Sequence, residues 1–272
     1  MFPDRDVVTA PAGAAPEVAV WLAGPAARSL FEASAQTPED FERWQRIVSP
    51  ARREEWEVSR ALLAHVRRND AKAAGAGGAS AGTAESARSS AAHMGEAQLH
   101  ADYPAYQPRP ATALSLSHSG GFAAVAAGRG VLRLGVDLEC TRRVRDVMRI
   151  AQFAFTDAEV AQLQALSGEA RDERFYILWT LKEAFAKALS LELLAGLRRC
   201  SFVEERGEWR GDVPAAGDRA WSAWVFRAAP TLVLSVVALL PFAGNCRVFV
   251  HEWPGEKSGS WSSLATLRSG LA

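Results

Sequence analysis

The stretch Trp179-Thr-Leu-Lys-Glu-Ala-Phe-Ala-Lys187 leaves little choice of local structure. It is made of good helix formers and holds no Gly or Pro. Phe175, Leu178, Leu181, Phe185 and Leu189 recur at helical spacing and form one apolar stripe, which predicts a helix from about Arg171 to Leu189. Glu183 and Lys187 stand four apart and share a face roughly opposite Phe185. That pair is either a solvated contact worth a few tenths of a kcal/mol or an acid and an amine offered to something else.

A second segment supplies a partner. Leu134, Val136 and Leu138 alternate with Gly135, Asp137 and Glu139, the period-two pattern of a strand with one apolar face. Asp137 and Glu139 then project side by side, where water or a cation must relieve their repulsion. Glu183 follows Asp137 by 46 positions, room for one helix and a return helix that could bring a third carboxylate to the strand. An oxygen-rich set of this kind suits Mg²⁺, which keeps several waters and binds substrate phosphates. Upstream, Leu114 to Ser119 alternates as a strand, Gly120-Gly121 turns it, and Phe122 to Ala127 returns. His118 sits between two serines just before that turn, either as a structural histidine or as an exposed partner for phosphate.

Gly135-Val-Asp-Leu-Glu139, then Trp179 to Lys187, with Leu116-Ser-His-Ser119 just ahead, resembles the signature of the 4′-phosphopantetheinyl transferases. The similarity is concentrated between Ser115 and Lys187 and is weaker along the helix from Ser49. It is to the long form, with two similar halves in one chain, rather than the short form that assembles as trimers. The resemblance implies an α+β fold. Two similar α/β subdomains would be related by a pseudo-twofold axis, each an antiparallel sheet packed with helices, with the ligand cleft between them. It implies a monomer that transfers the phosphopantetheine arm of coenzyme A to a serine of an acyl or peptidyl carrier protein and releases 3′,5′-ADP. Asp137, Glu139 and Glu183 would hold Mg²⁺, and Glu183 would also be the base. Lys187, His118 and Ser117 would contact phosphate oxygens, and Arg52 and Arg60 would face the 3′-phosphate and adenine.

The chain departs from the family pattern twice. Many relatives carry a Gly-Lys-Pro element where this chain reads Tyr103-Pro-Ala-Tyr-Gln-Pro-Arg109, so a basic contact to coenzyme A is either missing or supplied by Arg109. Relatives also follow the last lysine with a glycine-rich turn, whereas no glycine follows Lys187 until Gly196. Without glycine the backbone has no easy route to positive φ. The leucines then predict a helix running a turn or more past Leu189, a stiff wall beside the pantetheine path. A turn at Ser190 is the other reading.

The remaining chain reads as follows. Residues 1–16 are Pro- and Ala-rich and read as disordered. An N-terminal half, 17–134, holds a strand Val18–Leu22 and helices opening at Thr37-Pro38 and Ser49-Pro50, the second running toward Asn69. Within it Ala71–Ala97 is almost all Ala, Gly and Ser, which predicts a mobile loop. A C-terminal half, 135–253, holds a capping box at Thr156-Asp-Ala-Glu159. Its strands are expected at Arg199–Val203, Ala220–Arg227, Thr231–Leu239 and Arg247–Trp253. Late strands in both halves suggest an internal duplication. The polar tail 254–272 reads as disordered.

The 31 basic and 31 acidic residues cancel, which argues against nucleic acid or a membrane surface as partner. Met1–Pro16 has no secretory pattern, and the longest apolar run, Leu232–Leu240, is far short of the roughly 20 residues that span a bilayer. Cys140, Cys200 and Cys246 are too scattered for a disulfide framework, which points to a reduced cytoplasmic setting. Two other functions fit parts of the pattern. A metal-dependent nuclease would use similar acids but needs a basic groove. A non-catalytic module would bind coenzyme A or a carrier protein without transfer.

Overall fold

The structure, a computed structural model, describes residues 15–76, 113–142, 145–192, 196–254 and 261–269. Strand β1 (Glu17–Ala23) is followed by helices α1 (Pro38–Arg46) and α2 (Pro50–Ala76), then the hairpin β2 (Ala113–Ser119) and β3 (Phe122–Arg129). Next come β4 (Arg133–Cys140) and helices α3 (Val147–Ala154), α4 (Asp157–Gln164) and α5 (Gly168–Leu189). A small hairpin β5 (Ser201–Glu205) and β6 (Glu208–Asp212) precedes β7 (Ala220–Ala229), β8 (Leu232–Leu240), β9 (Arg247–Trp253) and β10 (Ser262–Arg268).

Two four-stranded sheets result, ordered β2-β3-β1-β9 and β10-β7-β8-β4. In each, a hairpin lies antiparallel against the strand that opens its half, so β2-β3-β1 and β7-β8-β4 repeat one arrangement. The layering follows from which residues are apolar on both strand faces. Along β1, Ala19, Trp21 and Ala23 face one way, onto Val58, Leu62 and Val66 of α2. Val18, Val20 and Leu22 face the other way and join Val136, Leu138, Leu234 and Phe226 between the two sheets. Phe175, Leu178, Leu181 and Phe185 of α5 cover the outer face of the second sheet over Val225, Val233 and Val237. The fold is α+β: four layers, helix, sheet, sheet, helix.

Several expectations need correction. β9 lies parallel to β1 and joins the first sheet, although it follows the second half in sequence, so that sheet is mixed rather than antiparallel. The segment after Pro254 is not wholly unstructured. Ser262–Arg268 pairs antiparallel with β7, and Trp261, Ala265 and Leu267 are buried. A polar composition hid that strand because a bulge between Ser263 and Ala265 breaks its alternation. The Ala/Gly/Ser stretch is helical from 71 to 76 as the end of α2. Its remainder, like residues 1–14 and Tyr103–Arg109, lies outside the described residues.

The extended motif helix is also overturned: α5 ends at Leu189. Ser190 takes the left-handed conformation, φ 53°, that glycine usually supplies at this position. The Leu191 N–H returns to the Ala186 carbonyl at 2.9 Å, and Arg133 Nη1 donates to Ser190 Oγ at 2.6 Å.

The motif helix approaches β4 closely because Gly135 has no side chain. A Cβ there would stand 1.9 Å from the Ala184 carbonyl oxygen and 2.8 Å from the Ala188 nitrogen, both backbone atoms of α5. Gly135→Ala must therefore push α5 off the sheet. Denaturant unfolding should show a loss of about 3 kcal/mol, the upper range for overpacking. A loss below about 1 kcal/mol would mean that the helix rides freely on the strand.

Candidate active site

Glu183 and Lys187 meet β4 where the edge of the second sheet adjoins the edge strand β2 of the first. Serines at alternate positions of β2 make the join. Ser115 Oγ accepts from the Val136 N–H at 3.0 Å, Ser117 Oγ donates to Asp137 Oδ1 at 2.9 Å, and Ser119 Oγ donates to Glu139 Oε2 at 2.9 Å. Ser119 Oγ also accepts from the Cys140 N–H at 3.1 Å. From the helix side, Lys187 Nζ donates to the Val136 carbonyl at 2.9 Å and to Asp137 Oδ1 at 2.8 Å. Asp137 is almost wholly buried, whereas the Lys187 side chain remains about one-third exposed.

One oxygen of Asp137 is thus doubly engaged, while its partner, Oδ2, is buried without a hydrogen bond. Glu183 stands beside it. Burial first, then the Asp137 charge, push the Glu183 carboxyl up to about 8, and Lys187 offsets part of that rise. Glu139 differs: Arg145 Nη2 lies 3.2 Å from each of its oxygens. Among the described residues no three His, Cys, Asp or Glu side chains enclose a metal position. The donor set nevertheless fits a hard dication. An ion touching Asp137 and Glu183 would give the orphaned oxygen a partner and offset the burial and the Asp137 charge that raise the Glu183 carboxyl.

The raised carboxyl makes a stability prediction for the metal-free protein. Glu183 binds its proton more tightly folded than unfolded, so its contribution is fully present below about pH 4.5 and is lost as pH rises toward about 8. Relative to Glu183→Gln, wild type should become progressively less stable across that window in pH-dependent melts, and Mg²⁺ should reverse the loss. A flat difference would mean that the carboxyl titrates normally.

The other expected residues lie apart. His118 is on the opposite face of β2 from the serines. Its side chain is 41% exposed, with Nδ1 3.4 Å from Glu55 Oε2 on α2. Glu55 also accepts from the Gly121 N–H at 3.3 Å and so ties α2 to the hairpin turn. Arg52 is exposed in the first turn of α2. Arg60 is engaged, with Nη2 2.8 Å from Asp40 Oδ1 and its guanidinium 4.0 Å over the Trp56 ring.

Sequence reasoning missed Lys182. It lies in the apolar stripe between Leu178 and Phe185 and is fully buried in an ion pair with Glu159 at 2.9 Å. Its amine also donates to the carbonyls of Leu197 and Cys200. Glu159, recognised as the capping-box acid, accepts from the Thr156 N–H at 2.8 Å and the Phe202 N–H at 2.9 Å as well. A cavity of about 480 Å³ beside this pair is lined by Thr156, Arg198, Arg199 and Ser201 and does not include the acids of the seam.

Comparison with known proteins bears on the same segment. Residues 133–237 match the model of the 4′-phosphopantetheinyl transferase superfamily. A Synechocystis sp. protein named as a 4′-phosphopantetheinyl transferase, slr0495, is 31% identical over 118 residues, 43% of this chain and 46% of that protein. The Xenopus laevis L-aminoadipate-semialdehyde dehydrogenase-phosphopantetheinyl transferase is 29% identical over 106 residues, 37% of this chain and 33% of that one. The matched part thus spans less than half the length of either relative. Among solved structures, a Thermotoga maritima holo-[acyl-carrier-protein] synthase overlaps 42% of this chain and 67% of its own at 21% identity, with a TM-score of 0.31. A Bacillus anthracis holo-(acyl-carrier-protein) synthase, solved with CoA (3′,5′-ADP), overlaps 40% of this chain and 96% of its own at 15% identity, with a TM-score of 0.35. The family model covers β4, α5 and most of β8, the elements that carry Asp137, Glu183 and Lys187, and over that part the chain is similar to the 4′-phosphopantetheinyl transferase superfamily.

Proposed function

We propose that this chain transfers the phosphopantetheine arm of coenzyme A to a serine of an acyl or peptidyl carrier protein, with Mg²⁺ as cofactor, and releases 3′,5′-ADP. The observation that carries this reading is the meeting of Asp137, Glu183 and Lys187 at the seam of the two sheets, with one buried Asp137 oxygen left for a cation. Asp137 and Glu183 would hold the ion, with Glu139 as third ligand. When bound, the ion supplies neutralisation of charge gathering on the pyrophosphate.

The chain's own groups do the rest. Ser117 and Lys187 fix the Asp137 carboxylate through Oδ1, and the partly exposed Lys187 amine is available to a phosphate oxygen. Glu183, as carboxylate, takes the proton of the carrier serine, directly or through water. The serine oxygen forms a bond to the β-phosphorus. The bond from that phosphorus to the bridging oxygen of 3′,5′-ADP breaks, and its electron pair leaves with the nucleotide. Exposed His118 and Arg52 serve the phosphates of the nucleotide end, whereas Arg60 reaches them only by leaving Asp40.

A monomer suffices for this chemistry, because the serines of one half reach the acids of the other within one chain. The described helices include none long and apolar enough to cross a membrane. All three cysteines are free and buried, in keeping with a reducing, cytoplasmic setting. Intact-mass analysis of an apo-carrier protein incubated with the chain, coenzyme A and Mg²⁺ tests the reaction. A gain equal to the phosphopantetheine arm is expected, and an unchanged carrier mass overturns the reading.

A further inference from the structure

We infer that Arg145 is an internal counter-cation of the site. It neutralises Glu139 in the metal-free protein, holds divalent-cation affinity down until a polyanionic substrate arrives, and then passes to that substrate's phosphate. This rests on the metal reading above and adds a positioning residue to it.

The three acids of the seam are not equivalent. Asp137 has a buried oxygen with no hydrogen bond, and Glu183 has a carboxyl beside it. Glu139 already has a cation: both its oxygens lie 3.2 Å from Arg145 Nη2, and Ser119 Oγ donates to one of them at 2.9 Å. The pair is mostly shielded, with side chains 20% and 13% exposed, and the guanidinium stands 5.9 Å from the centre of the Tyr176 ring of α5. An ion that recruits Glu139 must therefore displace a half-buried guanidinium, and breaking such a pair is costly unless both charges find new partners. The incoming ion is the new partner of Glu139. A phosphate is the natural one for Arg145, whose planar fork matches two phosphate oxygens.

The chain keeps the freed side chain nearby. The next residue, Asp146, caps α3, its Oδ1 accepting from the Arg149 N–H at 3.1 Å. The Val147 N–H also donates to the Arg145 carbonyl at 3.0 Å, which ties the Arg145 backbone to the start of α3. Ion and substrate then favour each other: whatever factor the substrate adds to ion affinity, the ion adds to substrate affinity.

Calorimetric titration of the full chain with Mg²⁺, alone and with saturating coenzyme A, tests this without measuring transfer. Arg145→Gln is compared with Arg142→Gln, an equal charge change at an exposed position of the same segment. Wild type should bind Mg²⁺ weakly alone and at least about tenfold tighter with coenzyme A. Arg145→Gln should bind Mg²⁺ alone about tenfold tighter than wild type, about 1.4 kcal/mol, and lose most of the gain from coenzyme A. Arg142→Gln should follow wild type. Equal shifts in the two variants, or none in Arg145→Gln, overturn the inference while leaving the metal site standing. Absence of Mg²⁺ uptake by every protein, even with coenzyme A, overturns the metal reading as well. Should Arg145→Gln not fold by circular dichroism, Arg145→Lys replaces it. There the shorter reach of lysine and the loss of the guanidinium's place by the Tyr176 ring should loosen the hold on Glu139 and tighten Mg²⁺ binding about threefold, and an unchanged affinity counts against the inference.

Discussion

Asp137→Ala and Glu183→Ala should each lower the rate of carrier modification about a thousandfold or more while the protein stays folded. On the proposed reaction, losing the charge neutralisation of the leaving nucleotide would remove about 4 kcal/mol of transition-state stabilisation, which sets that factor. The fold should tolerate both changes, because each removes one member of a repelling pair that burial has already strained. In Asp137→Ala, Lys187 keeps the Val136 carbonyl as acceptor and stays partly solvated. Single-turnover rates at saturating coenzyme A and Mg²⁺, alongside thermal melts, check both halves of the statement. A variant that keeps its rate within tenfold of wild type would remove these acids from the chemistry.

The largest stability effect is expected far from the chemistry, at Glu159 and Lys182. Both side chains are fully buried, and the lysine uses its donors on Glu159, Leu197 and Cys200. Glu159→Leu leaves an amine in the core with no countercharge, and Lys182→Met leaves a carboxylate in the same state. Each should cost about 3–5 kcal/mol in denaturant unfolding. The double variant Glu159→Leu/Lys182→Met should recover much of that loss, since well-packed apolar pairs often match buried ion pairs in stability. If single and double variants are equally destabilised, the pair acts through packing rather than charge.

The chain announced its local structure better than its pairings. Helix α5 and the placement of Glu183 and Lys187 were legible because a 3.6-residue stripe fixes which side chains share a face. Asp137 and Glu139 were legible because a strand alternates. Lys182 was not: inside the stripe it looks like an interruption, and its partner Glu159 lies a helix away, explained by a local cap. The Arg145–Glu139 pair was hidden similarly, since nothing in the spacing tells an arginine that neutralises an acid from one in water. Seen from sequence, His118 belonged with the serines beside it. A strand sends neighbours to opposite faces, and the structure sets it against Glu55 instead. Ser190 shows the limit of reading glycine alone as the marker of a helix stop.

The placement of β1 has a consequence for how the molecule is made. This strand lies between β3 and β9, and Glu17 meets Arg247, 230 positions further along. While the chain is being synthesised, one edge of β1 stays open until nearly all of both halves has emerged. Pairings this distant in sequence make folding slow, and an open apolar strand edge invites association with other chains during the wait. Biosynthesis of this protein should therefore lean on chaperones more than that of a chain whose sheets close in sequence order.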